Sequence, residues 1–581
     1  ADKLSPERGQ YAFTQSLLRS VAYDTLSRGE RKTRHLRAAE SLRLSFPDHG
    51  AEVIEVIASH LYDAYGASSN DKDANELRKQ AEDAYYQAAE RAESIGAPDA
   101  AEASYLRAAE LSTDEARRAE ANLKAGQMAY LSDEHERALS HFEEALSAHR
   151  LAHRDVEAAR ATALFGRALN SLGRVEEAIS VLREALASLD FDKAPPVVVA
   201  ELQVSLAHGL SFSGHGGEAA EPLDQALRLA QHYELAEPLA GALLTKGSLL
   251  YGQGRLEEAR LFYEGSLSVA RRHGLTREEI MAENNLADLC MTYDLPGAEE
   301  HCRAGLELAR QRGARGQEYF AAQNLMYVLV MDGRLEEAYR LGTELLQTGA
   351  HGLSGATLHG RLAHIDVLRG DSEAARSHLS STEALATSED AQARAMYANV
   401  ESTVALSEGD FGRALGAALR AIDGALKDGL SLAHEVVRLG VPDAIDAALS
   451  SGNLGEADRL AELFSSRPPG EVPRFLRAQL RRARALLAAA RGNDEEVEEG
   501  LLAAQAVFED LGYPYWTARA ELDIARWLAA RGNAFEAARY ADKAAAAFEV
   551  LGAGPMLAQA RALPEAGVVT SLGGVEPLTT S

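Results

Sequence analysis

A short residue pattern recurs along this chain at intervals of about 40 residues. The string GRVEEA ends at Ala178, and GRLEEA ends at both Ala259 and Ala338. The final residues of all eleven copies, including the looser ones, are Ala138, Ala178, Ala219, Ala259, Ala298, Ala338, Ala375, Ala414, Ala457, Val497 and Ala537. A fixed period of this length predicts a solenoid, in which each unit buries its apolar face against its neighbours.

Each copy predicts a turn between two helices. A glycine just past an apolar stretch can adopt the left-handed conformation that ends a helix. The paired glutamates then fall in the first turn of the next helix, where carboxylates interact favourably with the helix dipole. The closing alanine indicates a close helix crossing. Small residues recur twelve positions before it, and apolar residues follow it at helical spacing: Gly126, Gly166, Ala207, Gly247, Ala363, Ala485 and Ala525, then Phe142, Leu182, Leu223 and Tyr263.

The composition agrees with a helical chain. Hydrophobic residues make up 46% of the 581 residues, but aromatic residues only 6%. Good helix formers are therefore abundant, whereas the aromatic and β-branched residues that strands favour are few. We predict an all-α fold, a right-handed α-solenoid built from helix-turn-helix units of about 40 residues.

The small-apolar-small pattern closely resembles the tetratricopeptide repeat over roughly residues 115–563. That family's usual unit has about 34 residues. The longer unit here is similar to the superhelical sensor regions of large bacterial signal-transduction ATPases. Met326 and Ile445 stand where a small residue is expected, so the packing of those two units is predicted to differ.

Residues 11–42 precede the array and indicate two amphipathic helices. Their sequence resembles the end of the helical arm that follows the nucleotide-binding core of STAND-type ATPases. The resemblance is greatest to the bacterial subgroup with a class III adenylate or guanylate cyclase domain. The matching residues are Phe13, Leu17, Leu18, Val21, Ala22, Tyr23, Leu26 and the stretch 31–35. The resemblance implies catalytic domains upstream of Ala1; the alternative is an unrelated pair of capping helices.

The predicted organisation has four parts. Residues 1–50 form the end of the helical arm, and residues 51–114 form an irregular capping repeat. Residues 115–563 hold about eleven repeats, and residues 564–581 form a mobile tail rich in Gly, Thr and Ser.

Composition and motifs exclude several functions. The net charge of −28 repels nucleic acid and anionic membranes, and no apolar run approaches the length of a bilayer span. Two basic helices, around Arg31 and Arg481, are expected to be solvated and to form ion pairs, although docking there stays open. The chain lacks a G-x-x-x-x-G-K-[ST] loop, so we expect no enzyme activity and no cofactor. A cytoplasmic location is expected.

The metal and thiol candidates are weak. His149 and His153 lie four residues apart with His141 nearby, but no recognised ligand pattern accompanies them, so no metal site is predicted. Cys290 and Cys302 fit packing better than redox chemistry. Cys302 and His301 are adjacent on a helix and therefore do not face each other.

A concave groove is the better candidate for function. In tetratricopeptide arrays the first helix of each unit lines a groove that holds an extended peptide or a partner helix. Position in the repeat assigns the groove to Tyr130, Arg167, Asn170, His208, Phe212, Tyr251, Asn284, Asp288, Gln323, Tyr327, His364 and Asn399. The prediction is a regulatory scaffold that binds a protein, peptide or effector, possibly its own upstream domains, and controls an ATPase or cyclase. The alternatives are a stand-alone adaptor and an enzyme housed in the solenoid.

Overall fold

The computed structural model describes residues 23–46 and 53–563, except 69, 192, 214, 389–390, 428 and 469. These residues form 28 α-helices and contain no β-strand. None of the described helices combines the length and the apolar surface that crossing a bilayer would require. The predicted tail, and the arm residues Phe13, Leu17, Leu18, Val21 and Ala22, lie outside the described residues.

The chain divides into two compact units, residues 1–161 (unit 1) and residues 162–581 (unit 2). The helices of unit 1 are α1 (Arg28–Ser45), α2 (Ile54–Ala67), α3 (Ala74–Ser94), α4 (Pro98–Leu111), α5 (Glu115–Leu131) and α6 (His135–Leu151). Helix α7 (Asp155–Ser171) contains the boundary. The four predicted domains stay predictions.

Unit 2 continues with twenty-one helices. They are α8 (Val175–Ser188), α9 (Pro196–Phe212), α10 (Ala220–His232), α11 (Ala236–Gly252), α12 (Leu256–His273), α13 (Thr276–Cys290), α14 (Leu295–Arg312), α15 (Arg315–Met331), α16 (Leu335–Gln347), α17 (Gly352–Arg369), α18 (Ser372–Ser380), α19 (Glu383–Ala386), α20 (Ala391–Ser407), α21 (Phe411–Lys427), α22 (Glu435–Ser450), α23 (Leu454–Ser465), α24 (Arg474–Ala490), α25 (Val497–Asp510), α26 (Pro514–Ala530), α27 (Ala534–Leu551) and α28 (Gly554–Ala562). From α5 to α27 the helices alternate as first and second helices of eleven pairs, with the short α19 inserted before α20.

The turns inside the pairs have the predicted conformation. Gly173 and Gly254 have φ of 77° and 75°, the left-handed region in which glycine is favoured. The amide of Arg174 then donates to the carbonyl of Leu169 at 2.9 Å, which satisfies an otherwise free carbonyl at the end of the helix. Paired glutamates occupy the first turns of α8, α12 and α16. The local turn chemistry read from the sequence is confirmed.

The close helix crossings are also present. All eleven residues that close the repeated pattern are buried. A methyl group added to Gly126 would lie 2.6 Å from the ring of Phe142, and one added to Gly247 would lie 2.5 Å from the ring of Tyr263. The first helix therefore needs a small residue where the second helix presents a large one.

The unit that contains Met326 reverses this arrangement. Met326 is buried on α15, and a methyl group added to Gly342 on α16 would lie 2.6 Å from the Met326 side chain. The large and small residues have exchanged helices, which keeps the summed volume at the crossing. Ile445 and Ala461 show the same exchange at the corresponding positions, and both are buried. The departure seen in the sequence is thus compensated on the partner helix.

Segments of unit 2 that are far apart in the sequence contact one another, in or beside its first helices. The Tyr251 hydroxyl on α11 donates to the carbonyl of Ala433 at 2.9 Å. Arg438 on α22, only 2% exposed, donates to Asp288 on α13 at 2.8 Å. The Tyr513 hydroxyl donates to the carbonyl of Met291. These three contacts therefore hold distant parts of unit 2 together.

Candidate functional site

An inner cavity of about 270 Å³ lies inside unit 2. Helices α15, α17, α20, α22, α26 and α28 contribute most of its wall. Its polar lining residues are Tyr327, His364, Ser372, Thr403, Ser407, Arg438, Asp443, Asp446, Arg519 and Gln559, and its aromatic lining residues are Phe475, Tyr515 and Trp516. A pocket of about 30 Å³ shares Tyr327, His364 and Thr403 with it and is also lined by Asn399. Several first helices thus bring polar and aromatic side chains to one enclosed place.

Tyr327 stands between two cations at one end of the inner cavity. The guanidinium groups of Arg361 and Arg438 lie 5.3 Å and 5.4 Å from the centre of its ring. Arg361 also forms an ion pair with Glu435. The Tyr327 hydroxyl is buried and makes no hydrogen bond within the described part of the chain. This hydroxyl can therefore donate a hydrogen bond to a ligand in the cavity, or accept one from it.

Asp443 supplies a carboxyl group with little charge compensation. The Thr403 hydroxyl donates to it at 2.6 Å, and among the described residues it forms no ion pair. Arg519, whose charge lowers the pKa of Asp443, forms its ion pair with Asp446 instead, at 2.7 Å. Burial raises the pKa of Asp443 to about 7 against the opposing hydrogen bond from Thr403, and the charge on Asp446 makes a smaller contribution to this increase. A cationic group entering the cavity would favour the ionised carboxylate.

His364 lines the same cavity as this carboxyl group. Burial, with a smaller contribution from the charge on Arg361, lowers the pKa of His364 to about 4. The imidazole is therefore uncharged at neutral pH, with one nitrogen that donates and one that accepts. Together with Tyr327 and Asp443, it makes the cavity suited to hydrogen bonding and to holding a positive charge.

The Asp443 environment makes stability depend on pH. The unfolded carboxyl has a pKa near 3.9, so from about pH 4 to about pH 7 the folded chain binds a proton that the unfolded chain has lost. This contribution to stability therefore falls as pH rises through that window. Asp443→Asn should gain stability relative to the unmodified chain between about pH 4.5 and pH 7.5. Urea unfolding at several pH values measures this, and parallel pH curves for the two chains would contradict it. Glu462→Gln, which changes an exposed acid on α23, is the control.

Three of the twelve residues predicted for the groove contribute to this region. Tyr327 and His364 line the inner cavity, and Asn399 lines the adjoining pocket. The Asn399 side chain also donates to the carbonyl of Val436 at 2.8 Å. The structure therefore brings these three together, although Asn399 is partly committed to a contact within the chain.

Three other predicted residues lie on α11 and α13. Tyr251 and Asp288 bind Ala433 and Arg438, as described above. Asn284 is buried on α13, and its amide makes no hydrogen bond among the described residues. Tyr251 and Asn284 are therefore buried, whereas the Asp288 side chain stays 27% exposed.

The remaining predicted residues are spread over other helices. Gln323 is buried on α15, and Arg167 and Asn170 lie on α7. Burial lowers the pKa of His208, on α9, to about 4. Tyr130 belongs to unit 1, where its ring packs 4.9 Å from that of His135. The Phe212 side chain lies outside the described residues. As a single binding surface, the twelve residues stay a prediction.

Thr403, Asp443, Asp446 and Arg519 were not selected from the sequence. A signal existed for two of them. Tyr327 and His364 precede the closing residues of their copies by eleven positions, as do Thr403 and Asp446. Asp443 lies one helical turn before Asp446 and shares its face. The residue eleven positions before the closing residue of each copy therefore indicates the cavity residues Tyr327, His364, Thr403 and Asp446.

His301 interacts with Glu283 and Cys290, and not with Cys302, the partner considered from the sequence. Its Nδ1 lies 2.6 Å from a Glu283 oxygen, and hydrogen bonds with Cys290 and then Glu283 raise the pKa of His301 to about 10. Cys302 is fully buried, and burial raises the pKa of its thiol. Both cysteines are free thiols. The conclusion that Cys302 and His301 do not form a nucleophilic pair agrees with this arrangement.

The basic helices form the expected ion pairs. Lys32 on α1 contacts Asp71 at 2.9 Å and Asp73 at 2.6 Å. On α24, Arg474 pairs with Asp510, and Arg482 is buried between two aspartates described below. Part of the positive charge on these helices is therefore compensated within the chain.

Several solved structures resemble this chain at low sequence identity. No protein-family model matches the sequence, and no curated protein does. A Rap protein complexed with Competence and Sporulation Factor shares 15% identity at a TM-score of 0.39, over 68% of this chain and 98% of that chain. The APC/C hetero-tetramer Cut9-Hcn1 shares 11% sequence identity with this chain at a TM-score of 0.49, and the match covers 91% of this chain and 98% of that chain. A STAND protein with a tetratricopeptide repeat sensor from Pyrococcus horikoshii shares 13% sequence identity at a TM-score of 0.36, and the match covers 64% of this chain and 66% of that chain. Likenesses at this level do not carry function across, and the all-α helical-repeat fold is established by the helices of the described residues themselves.

Proposed function

We propose that this chain is a non-catalytic binding scaffold whose ligand, a protein, a peptide or a small effector, places a group in the inner cavity of unit 2. The observation that carries the proposal is the Tyr327 hydroxyl, which is buried in the cavity wall and makes no hydrogen bond among the described residues, together with the Asp443 carboxyl group, which accepts from Thr403 but forms no ion pair there. Buried polar groups without partners destabilise a fold. A ligand that supplies those partners would recover that loss on binding.

The lining indicates the chemistry of the ligand group. An ammonium or guanidinium group could pair with Asp443, and the Trp516 and Tyr515 rings offer aromatic faces of the kind that attract cations. A volume of about 270 Å³ is near the lower end for small-molecule sites, so it fits one side chain or one small effector. The proposed ligand is therefore a cationic effector, or a peptide that inserts a Lys or Arg side chain.

A binding experiment tests this proposal directly. Labelled hexapeptides with a central Arg, Lys or norleucine, the last being uncharged, are titrated with the chain and followed by fluorescence anisotropy. The Arg or Lys peptides should bind better than the norleucine peptide. Asp443→Asn should weaken their binding by about tenfold or more, because a buried carboxylate partner is lost. Glu462→Gln should bind as the unmodified chain does.

Two results would count against the cavity as the site. One is equal binding of the charged and uncharged peptides. The other is equal binding by the unmodified chain and Asp443→Asn. Circular dichroism on both variants establishes that each remains folded.

We further infer a role in signalling, in which occupancy of the scaffold controls a STAND-type ATPase linked to a class III cyclase, in the cytoplasm. The sequence resemblance in residues 11–42 supports this part of the proposal. The alternative is a stand-alone adaptor that assembles a protein complex. The coding sequence upstream of Ala1 separates the two, since a phosphate-binding loop favours the first and a start codon favours the second.

A further inference from the structure

Three potential metal ligands converge in unit 1. His35 lies on α1, whereas His60 and Asp63 lie on α2. Nδ1 of His35 is 3.1 Å from Nδ1 of His60 and 3.6 Å from an oxygen of Asp63. One ligand atom from each residue lies within 4.8 Å of the other two, and no other group of three such residues in the described part of the chain meets this condition.

The distances suit a tetrahedral ion. Bonds of about 2.0–2.1 Å to nitrogen or oxygen place tetrahedral ligand atoms roughly 3.3 Å apart. The two measured separations from His35 Nδ1 lie on either side of this value. A single shared proton could join only one of the two neighbours to that nitrogen, whereas a cation satisfies all three lone pairs.

The helices hold these ligands in place. His60 and Asp63 are three residues apart on α2 and therefore share one face. The Tyr23 hydroxyl lies 2.9 Å from Nε2 of His35, which orients the ring so that Nδ1 is directed at the other two residues. Such outer hydrogen bonds are a regular feature of metal-bound histidines. The Asp63 side chain is 44% exposed, which gives an ion access from solvent.

A second histidine pair in the chain provides a contrast. Nδ1 of His359 and Nδ1 of His378 are only 2.7 Å apart. The nearby carboxylate, Asp366, lies 3.6 Å from Nε2 of His378, on the opposite side of the ring. The three groups therefore cannot converge on one ion. This difference separates a ligand set from a simple pair of hydrogen-bonded imidazoles.

We propose that His35, His60 and Asp63 bind one divalent transition-metal ion of the zinc class, with solvent as the fourth ligand. Two imidazoles and a carboxylate are a donor set that zinc accepts. The ion would link α1 to α2 and so hold the first helix of unit 1 against the second. This site is independent of the inner cavity and of the function proposed for it.

Zinc titration of the metal-free full chain tests the assignment. Competition with a chromophoric chelator should show one equivalent of Zn²⁺ bound, and zinc should raise the temperature of thermal unfolding. Loss of an outer-shell partner typically weakens metal binding by about 10–100-fold, so loss of a direct ligand should do at least as much. His60→Gln and Asp63→Asn should therefore each bind zinc at least about tenfold more weakly. His378→Gln, the matched control, should bind it normally.

The proposal is overturned if the unmodified chain takes up no zinc. It is also overturned if His60→Gln and Asp63→Asn retain the affinity of the unmodified chain. Should His60→Gln fail to fold, as judged by circular dichroism, Asp63→Asn decides the question, because its exposed side chain makes few demands on packing.

Discussion

Replacing Arg482 with methionine should lower the free energy of unfolding by about 3–5 kcal/mol. The Arg482 side chain is 1% exposed and donates to Asp446 at 2.9 Å and to Asp523 at 2.6 Å. Methionine keeps much of the volume but removes the charge, which leaves Asp523 buried with only a distant contact to Arg526. Burial alone would raise the pKa of Asp446, yet Arg482 and Arg519 hold it below its usual value.

Arg474→Met is the matched control for this substitution, because Arg474 lies on the same helix and pairs with Asp510 at the surface. Exposed ion pairs contribute little to stability, so this variant should unfold almost as the unmodified chain does. Urea titration followed by circular dichroism measures both variants. Equal losses in the two would mean that the buried charge cluster is not the cause.

Replacing Ala259 with phenylalanine should destabilise unit 2 by about 1–3 kcal/mol. Ala259 is fully buried at the crossing of α11 and α12, where Gly247 and Tyr263 already pack within contact distance. The larger ring has no free volume to enter, so the two helices must separate or a neighbouring side chain must leave its preferred rotamer.

Leu261→Phe controls for the change in residue type, since Leu261 lies on the same helix and is 59% exposed. Thermal unfolding should show a clear drop for Ala259→Phe and little change for Leu261→Phe. An unaltered transition for Ala259→Phe would show that the crossing lies elsewhere.

The sequence predicted those features of the fold that depend on neighbouring residues. The turn at Gly254, the glutamates that follow it and the burial of Ala259 all arise within one helix pair, so a single repeat contains the information. Volume compensation between Met326 and Gly342 is also local, but it requires both helices to be compared at once.

The interior contacts could not be read in the same way. The offset of Tyr251 within its repeat identifies a first helix, but its partner Ala433 is 182 residues away. Which distant helix reaches it depends on the accumulated rotation of several units, and no single repeat encodes that rotation. The proposed ligand set of His35, His60 and Asp63 is not apparent from the sequence for a related reason, because it combines two helices and spacing along one helix does not show which residues of another lie beside it.

The contacts across the interior of unit 2 change how it should fold. In an ordinary solenoid each repeat contacts only its neighbours, so repeats can form and melt in succession. Here the Arg438, Tyr251 and Tyr513 bonds join segments separated by 150, 182 and 222 residues. Closing loops of that length slows folding, and the completed contacts couple repeats that would otherwise unfold separately. Unit 2 should therefore lose its structure as one cooperative body rather than by progressive fraying from an end.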